Sequence, residues 1–134
     1  MKTEVRYYSR SGNTKRLAEA IAKGANAKAL SIDEEGSQIT EEIDALFIGG
    51  ALYAYGLDKH LKNYLETLSS TNIKRAIVFS TSWISKHSID LIQKALTEKG
   101  IDVEESFFYA KNNPTDDELK KAEKFARRII GGAS

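Results

Sequence analysis

Six consecutive residues, Ser9, Arg10, Ser11, Gly12, Asn13 and Thr14, gather three hydroxyls, an amide, a guanidinium and a glycine into one turn. Short polar side chains can wrap a compact anion from several sides, and the first N–H groups of a helix carry partial positive charge with no intrahelical partner. Glycine lets the backbone approach such a ligand closely. The turn reads as a nest for an anion. A blander reading is that Ser and Asn simply cap the helix that follows, but the density of hydroxyls exceeds what one cap uses. The sequence has neither Gly-x-x-x-x-Gly-Lys-Ser/Thr, which would cradle a nucleoside triphosphate, nor the dinucleotide pattern Gly-x-Gly-x-x-Gly. A phosphomonoester, and hence a mononucleotide, is the class that fits.

Two other stretches offer flat apolar surface. Ala51, Leu52, Tyr53, Ala54, Tyr55 and Gly56 follow a Gly49-Gly50 pair, and Thr81, Ser82, Trp83 and Ile84 contain the only tryptophan. Planar aromatic walls suit a planar ring system. Taken singly, each aromatic could equally cover the rim of a core. Their weight comes from converging on one end of the fold.

That convergence depends on the elements. Residues 3–8 read as a first strand, and a helix after the polar turn carries Leu17, Ala18, Ile21 and Ala22 on one face, with Gly24 marking its end. Residues 27–32 alternate like an edge strand, and an acidic link (Asp33, Glu34, Glu35, Glu41, Glu42) has room for a short helix only. Residues 45–48 and 76–79 are continuously apolar, as strands buried on both faces are. Between them a helix carries Leu57, Leu61, Tyr64, Leu65 and Leu68; after them another carries Ile89, Ile92, Ala95 and Leu96 and closes at Gly100. A last strand lies near 103–109. Beyond Pro114, Thr115 and Glu118 have capping-box spacing before a helix with Leu119, Ala122, Phe125, Ala126, Ile129 and Ile130 inward and a basic last turn.

Strands alternating with helices predict an α/β fold: a doubly wound three-layer sandwich in which a five-stranded parallel sheet has the order 2-1-3-4-5. One domain spans residues 1–134. In such sheets ligands bind at the carboxyl ends of the strands, here the loops 9–14, 49–56 and 80–86. Glu4 and Arg6 break the apolar pattern of a strand that must lie deep in the sheet; either they pair with each other's neighbours near the strand's amino end or one face is thinly covered.

The turn matches Thr/Ser-x-Thr/Ser-Gly-x-Thr from Ser9 through Thr14, and with this order of elements the whole chain resembles the short-chain flavodoxin family. The resemblance implies that FMN is the cofactor. It places the side chains of Ser9, Ser11, Asn13 and Thr14 and the backbone N–H groups of Arg10 and Gly12 on the phosphate. It lays residues 51–56 against the flavin, with Gly56 at the peptide that turns over to accept a hydrogen from reduced N5, and stacks Trp83 on the other side beside Thr81, Ser82 and Ile84. The implied function is electron transport between redox proteins, from a reductase donor to an acceptor the sequence does not name, by a cytoplasmic monomer.

Two features differ from the common family pattern: 20 Lys and Arg balance 19 Asp and Glu, where flavodoxins are usually acidic, and the 81–86 loop is brief. Arg10 or Lys86 beside the ring would ease formation of its reduced anion. Residues 49–65 also resemble flavodoxin-fold oxidoreductases, including menaquinone-dependent protoporphyrinogen oxidases. This makes an FMN enzyme acting on a quinone or porphyrinogen the alternative, although 134 residues leave little material for a second substrate pocket.

Other classes find no support. A net charge of +1 gives no field for nucleic acid or an anionic membrane, and the absence of cysteine removes disulfides, thiolate metal sites and thiol catalysis. The longest apolar run, 45–52, is too short to span a bilayer, and no signal-peptide core is seen. His60 and His87 have no partner at metal-ligand spacing and read as helix-surface residues, and no Ser-His-Asp set stands out. Lys120, Lys121, Lys124, Arg127 and Arg128 read as a solvated helix face. A receiver-type signalling domain would need acidic residues at the first and third strand ends, where this chain has Ser9 and Gly49.

Overall fold

The hydrophobic periods resolve into β1 (Thr3–Tyr7), α1 (Asn13–Ala25), β2 (Ala29–Ser31), β3 (Ala45–Tyr53), β4 (Gly56–Leu57), α2 (Lys59–Glu66), β5 (Ala76–Ser82), α3 (His87–Glu98), β6 (Phe108–Lys111) and α4 (Asp116–Gly131). The computed structural model describes residues 2–10, 12–53, 56–82, 87–111 and 113–131, with backbone alone at 51–53, 56 and 82.

Residue alternation along the central strands decides the layers. Ala45, Phe47, Ile77 and Phe79 point to one face of the sheet, Leu46, Ile48, Ala76 and Val78 to the other, and all are fully buried. Successive side chains of a strand face opposite ways, so a strand apolar at every position needs cover on both sides. Leu17, Ala18 and Ile21 of α1 with Ala122, Phe125 and Ala126 of α4 cover the first face; Leu61 and Leu65 of α2 with Ile89, Ile92 and Leu96 of α3 cover the second. The parallel strands run β2-β1-β3-β5-β6. This is the expected doubly wound order 2-1-3-4-5. One strand is additional: β4 pairs antiparallel with the end of β3, Leu52 opposite Leu57 and Tyr53 opposite Gly56.

The glycines carry the main corrections. Gly49 and Gly50 do not begin a loop but lie inside β3, which continues to Tyr53. A Cβ at Gly49 would sit 2.3 Å from the Phe79 carbonyl oxygen, and one at Gly50 2.5 Å from Leu61 Cδ2, so both positions are set by close neighbours. Gly24 does not end α1 either. The helix runs one residue further and stops at Asn26, which is left-handed at φ 55°. Gly24 is instead where α1 and α4 meet, since a Cβ there would lie 2.0 Å from the Glu123 carbonyl oxygen.

Smaller differences follow from packing. β5 continues through Ser80, Thr81 and Ser82, so part of the expected 80–86 loop is strand. Leu57 lies in β4 and Leu68 beyond α2, yet both belong to the same core as that helix. The last strand starts at Phe108, with Val103 making only an isolated bridge to Ala76. The capping box forms as expected: Thr115 Oγ1 accepts from Glu118 N, and Glu118 Oε1 from Thr115 N, each at 3.1 Å. The basic face of α4 is exposed, and Ile129 and Ile130 are only half-buried.

The irregular polar residues of β1 are explained by the link that follows β2. Residues 33–44 form turns without a helix, so this stretch of coil covers part of one sheet face. Buried coil leaves carbonyls that need donors. Arg6, 3% exposed at its side chain, supplies them: Nε donates to the Ser37 carbonyl at 2.7 Å, Nη1 to the Val5 carbonyl at 3.1 Å and Nη2 to Glu4 Oε1 at 2.8 Å. The Tyr64 hydroxyl donates to the same Ser37 carbonyl at 2.6 Å. Arg6 therefore pairs with Glu4 itself and with the carbonyls of Val5 and Ser37, and the face above it is closed by the coil and Tyr64.

Candidate functional site

At the carboxyl end of β1 the chain turns into α1 through Gly12, left-handed at φ 91°, ψ −9°. A glycine cap has no side chain with which to bond the helix amides, and the first turn of α1 has no acidic residue. The positive end of the helix dipole is therefore not offset from within the helix. Among the described residues, none beyond its chain neighbours has an atom within 4 Å of where a Cβ at Gly12 would lie. The turn itself is ordered by Ser9, whose Oγ accepts from Gly12 N at 2.9 Å. A helix start of this kind is where an anion can meet backbone N–H groups.

Beneath it lies a layer of buried hydroxyls. Thr14 Oγ1 and Thr81 Oγ1 are 2.8 Å apart and join α1 to β5. Ser80 Oγ donates to the Gly50 carbonyl at 2.7 Å, joining β5 to β3, and also meets the Ser88 hydroxyl of α3. These residues are almost wholly inaccessible to solvent. Thr14 and Thr81, expected to touch the ligand, therefore sit below the surface in this conformation and bond to each other.

Arg10 reaches sideways, its Nη2 donating to Asp58 Oδ2 at 2.6 Å. Asp58 caps α2, with Oδ1 accepting from His60 N at 2.7 Å and lying 2.9 Å from His60 Nδ1. Burial works to raise the pKa of this carboxyl, but the bonds from the His60 backbone and ring and from the Arg10 guanidinium outweigh it and hold the pKa below the ordinary carboxylate range. The His60 ring stacks on Tyr8 at 5.1 Å between centroids. The charge of Arg10, expected to act on a neighbouring ring, is thus largely compensated by Asp58.

Of the residues expected at the site, Ser9, Arg10, Gly12 and Asn13 lie together at the start of α1, with Thr14 and Thr81 below. The backbone of Ala51, Leu52, Tyr53 and Gly56 forms the β3–β4 ribbon instead of a loop, and Ser82 ends β5. Ser11, Ala54, Tyr55, Trp83, Ile84 and Lys86 lie outside the described residues. Tyr8, Asp58 and His60 are not singled out for the site by any sequence pattern. Asp58 had one available signal, an acidic residue just before an amphipathic helix.

No helix among the described residues is long and apolar enough to cross a membrane. A profile described as a flavodoxin domain matches residues 5–124. An uncharacterized protein of Methanocaldococcus jannaschii is 28% identical over 136 aligned residues, covering 88% of this chain and 90% of that one. Among solved structures, a flavodoxin from the domain Archaea superposes with a TM-score of 0.87 at 26% identity, covering 98% of both chains. Oxidised flavodoxin 1 from Bacillus cereus gives 0.78 at 20% identity, covering 98% of this chain and 99% of that one, a likeness of fold. With the profile spanning most of the sheet and its helices, the chain belongs to the flavodoxin family.

Proposed function

We propose that the protein binds FMN by its phosphate in the turn at residues 9–14 and carries electrons between redox proteins. The observation that carries this reading is the start of α1: a left-handed glycine and no acidic residue in the first turn. A phosphate dianion there meets the positive end of a helix dipole that no acidic residue of the first turn offsets, the setting that favours anions at helix starts. Ser9 already accepts one bond from Gly12 N, and its own hydroxyl proton can go to a phosphate oxygen. The N–H groups of Arg10, Gly12 and Asn13 and the Asn13 amide complete the candidate set. FMN, once bound, supplies one- and two-electron chemistry that no side chain of this protein offers.

The chain's part is to hold and orient. The Thr14–Thr81 and Ser80–Gly50 bonds fix the ends of α1, β3 and β5 relative to one another, so the turn and the β3–β4 ribbon stand on one rigid floor. The setting we propose is a cytoplasmic monomer that takes electrons from a reductase and passes them to an acceptor protein. Calorimetric titration of folded protein with FMN is expected to show uptake of one equivalent; no uptake overturns the reading. Photoreduced holoprotein mixed with cytochrome c is then expected to pass its electrons on. Steady-state turnover of a quinone or porphyrinogen, with no transfer to the cytochrome, would replace the carrier by an enzyme.

A further inference from the structure

We propose that Asp58 is a positioning residue for the phosphate turn: from the head of α2 it fixes Arg10, and through Arg10 the neighbouring backbone of Ser9, Gly12 and Asn13. The inference rests on the proposal that this turn takes the phosphate of FMN. Its direction comes from an asymmetry in burial. The Asp58 side chain is 2% exposed and that of Arg10 48%. A buried carboxylate is held where its donors are, because leaving them strands a charge away from water. Asp58 has a place of its own without Arg10, since it caps α2 through His60 N and meets His60 Nδ1. Arg10 is the far more exposed member of the pair.

The bond spans 48 positions and joins the turn after β1 to the head of α2 just after β4. On the other side the turn is held by Thr14 to Thr81. It is therefore pinned near both ends to different elements, with Gly12, its most freely rotating residue, between the pins. Such support from behind decides whether donors stay in the geometry a ligand needs.

The test is FMN affinity measured beside riboflavin affinity, since riboflavin has the ring without the phosphate. Losing a supporting residue behind a metal ligand commonly costs about tenfold or more in affinity, and the same scale is taken for a supported phosphate turn. Asp58→Ala is expected to weaken FMN about tenfold and riboflavin less than about twofold, with no further loss when added to Arg10→Ala. Asp58→Asn keeps a competent helix cap but offers Arg10 no carboxylate, and is expected to behave alike. Equal losses for FMN and riboflavin, or a loss that persists in the Arg10→Ala background, would reduce Asp58 to a helix cap and overturn the proposal. Amide exchange at Gly12 and Asn13 in ligand-free protein is expected to be about tenfold faster in Asp58→Asn, as a loosened turn requires. Unchanged exchange overturns the proposal even if FMN does not bind. Failure of the wild-type protein to bind FMN counts against the cofactor reading and appears in the wild-type titration alone.

Discussion

Arg6 and Arg10 lie four positions apart on one strand and the turn it feeds, and each pairs with an acid, but the two pairs are built in opposite senses. In the first the cation is buried, 3% exposed against 30% for Glu4; in the second the anion is buried, 2% for Asp58 against 48% for Arg10. Arg6 bonds two backbone carbonyls beneath a coil and presents nothing to a ligand. Arg10 is held from the side by Asp58 and keeps an exposed flank beside the turn. The same residue type thus closes a gap in the core at one site and steadies a surface loop at the other.

Substitution should separate the two roles, most strongly at Arg6. Arg6→Met removes three charge-assisted or backbone-directed bonds from a place water cannot reach. Glu4, being part-exposed, stays solvated, so the loss is expected at roughly 3 kcal/mol, the lower end for breaking a buried pair. Urea denaturation measures it, and a loss under about 1 kcal/mol would show that the coil over β1 does not depend on Arg6.

At the second pair the sharper probe is acid. The pKa of Asp58 is lower folded than unfolded, so its ionised form stabilises the fold above the unfolded value, about 4, and that contribution disappears as pH falls through the folded value. The melting-temperature gap between wild type and Asp58→Asn is therefore expected to narrow as pH falls below about 4. Asp44, held down by the Lys2 amide, and Glu123, held down by Arg127, shift in the same direction but are common to both proteins and cancel. A gap that widens in acid would reverse the sign assigned to Asp58.

Tyr64→Phe takes one of two donors from the Ser37 carbonyl and leaves Arg6 Nε on it. The expected loss is about 1 kcal/mol, the net value of one buried hydrogen bond, since no acceptor is orphaned. Combined with Arg6→Met it should exceed the sum of the two, because only then is that carbonyl left unpaired.

These pairs also mark where sequence ceases to disclose structure. The faces of β3 and β5 were readable because burial on both sides forces an unbroken apolar run, and the turn at residues 9–14 because local chemistry alone makes it polar and short. Arg6 reads as a flaw in a strand because its partner Ser37 lies 31 positions away in a link with no period of its own. Asp58 is separated from Arg10 by 48. Gly24, Gly49 and Gly50 mislead in another way. Glycine is read locally as punctuation, whereas here Glu123, Phe79 and Leu61 fill the space a side chain would need, and none of those neighbours is near in sequence.

The smallest effect on stability is expected from Arg10→Ala, and it is the one that most directly contrasts the two pairs. Removing a partner from a buried carboxylate is usually costly. Here Asp58 keeps the His60 N–H and imidazole on Oδ1, and the half-exposed guanidinium leaves a place on Oδ2 that water can take. The loss in urea denaturation should stay under about 1 kcal/mol, as for other pairs with one solvated partner. FMN affinity should nonetheless fall, because the turn loses its lateral support. A large loss of stability with unchanged affinity would make Arg10 a second Arg6, and phosphate binding at the turn would then not depend on this lateral support.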